Sequence, residues 1–61
     1  MQLRDLLELV SPNTMVRVIT PNDEEIFMGK AYFLIDVFED VDDCPVGCIS
    51  VIDEFLNVYI N

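Results

Sequence analysis

Leu3, Leu6, Leu7 and Val10 recur at the i, i+3, i+4, i+7 spacing of one helix face, so residues 1–10 read as a short amphipathic helix. Arg4 and Glu8 stand one turn apart on another face, a weak supporting pair. Pro12 ends the helix because it disfavours helical backbone at Ser11. From 14 to 20 the period changes to two, the signature of a strand: Val16, Val18 and Thr20 fall on one side, Met15, Arg17 and Ile19 on the other. Neither side is purely polar, which asks for a second layer or a partner chain. "PNDEE" is turn chemistry, and "EIFMGKA" returns as a second strand to complete a hairpin, with Gly29 expected at a bulge or bend.

The segment "YFLIDVFEDVDD" fits two elements. Phe33, Val37 and Val41, with Leu34 and Phe38 beside them, could line a short helix, or the apolar run could prolong the strand through Ile35. The favoured expectation is a strand end followed by a short helix or turn. "VGCISVI" and "FLNVYIN" form a second hairpin around Asp53 and Glu54, a pair unlike the preferred Asn-Gly, so a slightly longer loop is expected. In the last strand Leu56, Val58 and Ile60 face one way, Phe55, Asn57 and Tyr59 the other. The predicted fold is α+β: an N-terminal amphipathic helix packed on a small, twisted, mostly antiparallel sheet of two β-hairpins, about four strands, with a short helix possible between them.

Size changes how those faces are read. The 61 residues make a single domain, 1–61, of 52% apolar composition and positive mean hydropathy. A chain this short buries only about 60% of its unfolded surface. A homodimer reconciles the small size with the apolar content, and Met15, Ile19, Phe55 and Tyr59, from the second side of their strands, are the expected interface. No run approaches the ~18 apolar residues of a spanning helix, and no basic-then-apolar leader opens the chain. A complete small product in the bacterial cytoplasm is the corresponding expectation.

Charge then limits the chemistry. Twelve Asp and Glu oppose three Lys and Arg, with no His, for a net charge of −9. Such a field repels nucleic acid and anionic membranes and attracts basic proteins; acidity as a mere solubility device is the plainer reading. Cys44 and Cys48 supply two of the four ligands a structural zinc site needs. They read instead as small buried thiols, with Cys48 in the core. "DVDD" lacks the alternating ligands, glycine and closing Glu of a calcium loop. Ser11 and Ser50 have no evident base, Lys30 stands alone, and Gly29 and Gly47 are too isolated to cradle phosphate. No enzyme, metal or cofactor is expected.

The carboxylates carry the remaining signal. Asp36, Glu39, Asp40, Asp42 and Asp43 form the densest group, and Asp23, Glu24 and Glu25 the next. Charges so close together repel one another and cost folding energy, which solubility alone does not require. A dense row of them competes for the Lys and Arg grooves that hold the phosphates of DNA, spaced ~1.7 Å apart along the duplex. These eight residues are the expected contact surface for a basic protein partner. Tyr32, Phe33, Phe38 and Tyr59 are possible anchors, although core packing is the stronger expectation for Phe33 and Phe38.

The succession "LLELV", "TMVRV", a strand ending at Gly29, "CISV" and "LNVYIN" resembles a group of very small acidic proteins of bacteriophages and prophages. The resemblance covers most of the chain as a hydrophobic pattern, carrying over Leu6, Val16, Val18, Ile49, Leu56, Val58 and Ile60 as core positions. The cysteines and "EDVDD" lie outside that pattern. The resemblance implies a mobile-element origin and, by analogy with other small acidic phage proteins, an anti-defence role such as anti-CRISPR inhibition, in some cases by DNA mimicry. An assembly module that self-associates through its hydrophobic faces is the alternative.

Overall fold

A computed structural model describes the backbone of all 61 residues and every side chain except that of Asp42. The element order is α1 (Leu3–Leu9), β1 (Met15–Ile19), β2 (Glu25–Lys30), α2 (Ala31–Val37), a 3-10 turn (Val41–Asp43), β3 (Val46–Ile52) and β4 (Phe55–Ile60). The protein is α+β, with a four-stranded sheet ordered β2-β1-β4-β3. Each hairpin is antiparallel, as expected, but the two meet through a parallel β1–β4 pair at the centre, so the sheet is mixed. Parallel neighbours need a long crossover. The segment 31–45 supplies it, carrying the chain from β2 at one edge to β3 at the other.

The helices take the positions their sequences allow. In α1, Leu3, Leu6 and Leu7 are buried, Val10 packs against the same cluster, and Arg4 meets Glu8 at 3.5 Å. The Asp5 carboxylate accepts the Gln2 N–H at 3.1 Å, and the Cys44 carbonyl accepts the Leu3 N–H at 2.7 Å, which satisfies helix-start donors. The ambiguous segment resolves as strand to Lys30 and helix from Ala31. Two loop carbonyls explain the switch: Thr14 accepts the Ala31 N–H at 2.9 Å and Pro12 that of Tyr32 at 3.1 Å. The helix then buries Ala31 and Leu34 rather than the Phe33–Val37 stripe. Phe33 is therefore half exposed, its ring 6.2 Å from that of Phe27, whereas Phe38 packs on the core.

The core lies between the helices and one face of the sheet. Val16, Val18 and Val58 present fully buried side chains there, joined by Leu3, Leu7 and Leu34. Burying one such side chain is worth about 1.5–3 kcal/mol.

Three local expectations are corrected. Gly29 sits in regular register opposite Val16; the bulge lies between Val18 and Ile19. A Cβ on Gly29 would come within 3.2 Å of the Phe27 ring, so the glycine makes room for that ring. The loop of the second hairpin is not longer. Ile52 pairs directly with Phe55, and Asp53 and Glu54 take φ values of 52° and 69°, the pattern of a two-residue I′ turn. Finally, Cys44 is the buried thiol and Cys48, on the edge strand β3, is exposed. Burial, then the nearby Asp40 charge, pushes the Cys44 thiol pKa upward.

Candidate functional site: an acidic end and an open sheet face

β1 runs into the turn 20–24, and β4, parallel to it, finishes at Ile60 beside the start of β3. The first turn and the 3-10 segment that feeds β3 therefore lie at the same end of the sheet, on opposite edges. Asp23, Glu24 and Glu25 come from one, Glu39, Asp40 and Asp43 from the other, and all six are exposed. Asp36, also exposed, lies on the last turn of α2. The Asp42 side chain lies outside the described residues.

The first turn is built tightly. The Thr20 carbonyl accepts the Asp23 N–H at 2.9 Å, the Thr20 hydroxyl accepts the Glu24 N–H at 3.2 Å, and Asp23 adopts φ 66°. Pro21 supplies the φ such a turn needs at its first inner position. The 3-10 segment is held by Val41 N–H to the Phe38 carbonyl at 3.2 Å and Asp43 N–H to the Asp40 carbonyl at 3.0 Å. Val41 is buried, anchoring the acidic segment to the core.

Arg4 pairs with Glu8 on α1, and Lys30 closes β2 at the far end of the sheet. Arg17 reaches an acid of the turn, Glu25, at 2.8 Å.

The expected interface residues Met15, Ile19, Phe55 and Tyr59 do share one face of the sheet, the one without helices, because each occupies the register opposite to Val16, Val18 and Val58. The face is partly closed by its own side chains. The Arg17 guanidinium lies 4.8 Å from the centre of the Phe55 ring, and Ile19 is already buried. Asn57 is only 1% exposed and donates to the Phe55 carbonyl at 3.2 Å. The Arg17 Nε is buried without a hydrogen bond, so its close approach to Glu25 is a charge contact rather than a directed bond.

No pocket opens among the described residues, and no three potential metal ligands among them converge. Among the described residues no helix is long and apolar enough to cross a membrane. Comparison of the chain with family models, curated proteins and solved structures finds no match.

The exposed apolar edge was missed in the sequence. Ile49, expected as a core position, is 45% exposed on the edge strand β3, and Val51 and Ile52 beside it are 73% and 51% exposed. The signal was available: residues 44–52 contain no charged side chain in a chain that otherwise carries fifteen, and uncharged edge strands are unusual.

Proposed function

We propose that the protein acts by contact rather than by catalysis: it is an acidic binding protein whose carboxylate-rich end engages a basic protein, with a homodimer as the working unit. The observation that carries this reading is the gathering of two acidic segments, far apart in sequence, at one end of the sheet. The first segment sits on a tight turn closed on Thr20 and the second is anchored to the core by Val41, so their charges are held in place rather than spread along a mobile tail. Pre-set charges of one sign favour encounter with a partner of the opposite sign and penalise the wrong partner. A nucleic-acid-binding protein presents such a basic surface, and an inhibitor of a host-defence nuclease or effector, of the kind bacteriophages encode, is the specific form proposed.

Reversing Asp40, Asp42 and Asp43 to Lys tests the reading. Capture of the basic partner from bacterial lysates should fall at least about tenfold, as expected for loss of several interfacial charges. Undiminished capture by the reversed variant would defeat the acidic-contact mechanism.

The apolar edge of β3 favours a second reading, an assembly module whose acidity serves solubility alone. In that case self-association would be insensitive to salt and the triple reversal would change nothing.

A further inference from the structure

We infer that a second copy of this chain docks along the free edge of β3, antiparallel and strand to strand, so that two four-stranded sheets become one continuous sheet around a two-fold axis. The inference rests on the homodimer of the proposed function but not on its acidic contact, which the charge-reversed variant tests separately.

Backbone direction comes first. The two-residue turn makes Ile52 and Phe55 the hydrogen-bonded pair next to the loop, and the alternation passes that role to Ser50 with Asn57 and Cys48 with Tyr59. Ile49 and Val51 therefore direct their N–H and C=O groups away from β4, toward the open side. The next outward N–H, that of Val46, is already taken: it donates to the Met1 carbonyl at 2.9 Å, and Gln2 bridges Pro45. The edge thus accepts an antiparallel segment at its first residue and lies open from Cys48 to the turn.

The open stretch, Cys48–Ile52, is centred on Ser50. Placing the two-fold axis there sets Ile49 opposite the second copy's Val51 and Val51 opposite the second copy's Ile49. Both pairs exchange backbone hydrogen bonds, and the four exposed aliphatic side chains cover one another. Asp53 of each copy then falls opposite Gly47 of the other, so no carboxylate faces a carboxylate across the pairing.

Charge selects a second copy for this edge. Another molecule of net charge −9 is repelled by most of the surface, and β3 lies in the longest uncharged run of the chain. The opposite edge, β2, begins at Glu25 and ends at Lys30. β3 also lacks the inward charges, Lys and internal Pro that edge strands use to prevent pairing. The helix-free face is a poorer seat, because Arg17 already lies over Phe55 and Ile19 is buried.

Sedimentation of the wild-type protein across a concentration series, with Val51→Lys and Met28→Lys beside it, tests the inference. Both variants add one positive charge at an exposed site, on the edge and on the open face respectively. The expected result is a wild-type dimer, at least about tenfold weaker association for Val51→Lys, and little change for Met28→Lys. In hydrogen exchange, the Ile49 and Val51 amides should become protected as wild-type concentration rises. A wild-type protein that stays monomeric overturns the inference. So does dissociation by Met28→Lys with Val51→Lys unaffected, which would move the second copy to the sheet face. If both variants weaken association the two amides decide, and fast exchange at every concentration overturns the edge pairing.

Discussion

The two faces of β1 are one residue apart in sequence and differ in what closes them. Val16 and Val18 are 0% exposed beneath two helices. Met15, Arg17 and Ile19 face away from the helices, where an arginine drawn over Phe55 and toward Glu25 is the main cover. The first closure removes aliphatic surface from water and is strong per residue. The second combines a cation–π contact with a part-exposed ion pair, each worth about 1 kcal/mol or less. Alternation places side chains on faces, but only the packing layer decides which face becomes the core.

The largest effect should come from the covered face. Leu34 is fully buried, so Leu34→Ala should cost about 2–5 kcal/mol. A domain of this length holds roughly 3–9 kcal/mol in all, so the variant should lose most of its cooperative urea transition. A loss below about 1 kcal/mol would mean that α2 does not seal the core as described.

Arg17→Ala on the open face should be milder, destabilising by about 1 kcal/mol in the same urea titration. High salt should reduce the difference between wild type and variant, because the Glu25 contact is part-exposed. A cost equal to that of Leu34→Ala would erase the distinction between the faces.

The smallest effect, opposite in sign, belongs to neither face. Glu54 adopts φ 69° in the second hairpin, a conformation that costs a non-glycine residue about 1–2 kcal/mol. Glu54→Gly should raise the urea midpoint, with a gain in unfolding free energy of up to about 1 kcal/mol after glycine's greater freedom in the unfolded chain is subtracted. No gain would indicate that the carboxylate makes a compensating contact.

These positions also show what the sequence could reveal. The stripe Leu3, Leu6, Leu7 and Val10, and the alternation of β1 and β4, have one physical interpretation each, and the structure agrees with it. The fate of 32–43 depended on something no local pattern contains, the Pro12 and Thr14 carbonyls that receive the first donors of α2. The parallel β1–β4 pair was hidden for the same reason, since two hairpins can join in more than one way. The Asp53–Glu54 turn defied composition because hairpin geometry overrode residue preference. Of the candidate site, the acidic groups were legible as charge, but their convergence at one end was visible only from the strand order. Both cysteines read as buried thiols and only Cys44 is one; Cys48 is exposed because its neighbours in space, not in sequence, determine burial.

The most direct test of an acidic binding protein is capture of its partner from bacterial lysates at graded salt, with the bound proteins identified by mass spectrometry. The account predicts a basic, nucleic-acid-binding protein retained at low salt and released at high salt. Recovery of only the protein itself at every salt concentration would contradict it and leave self-association as the function.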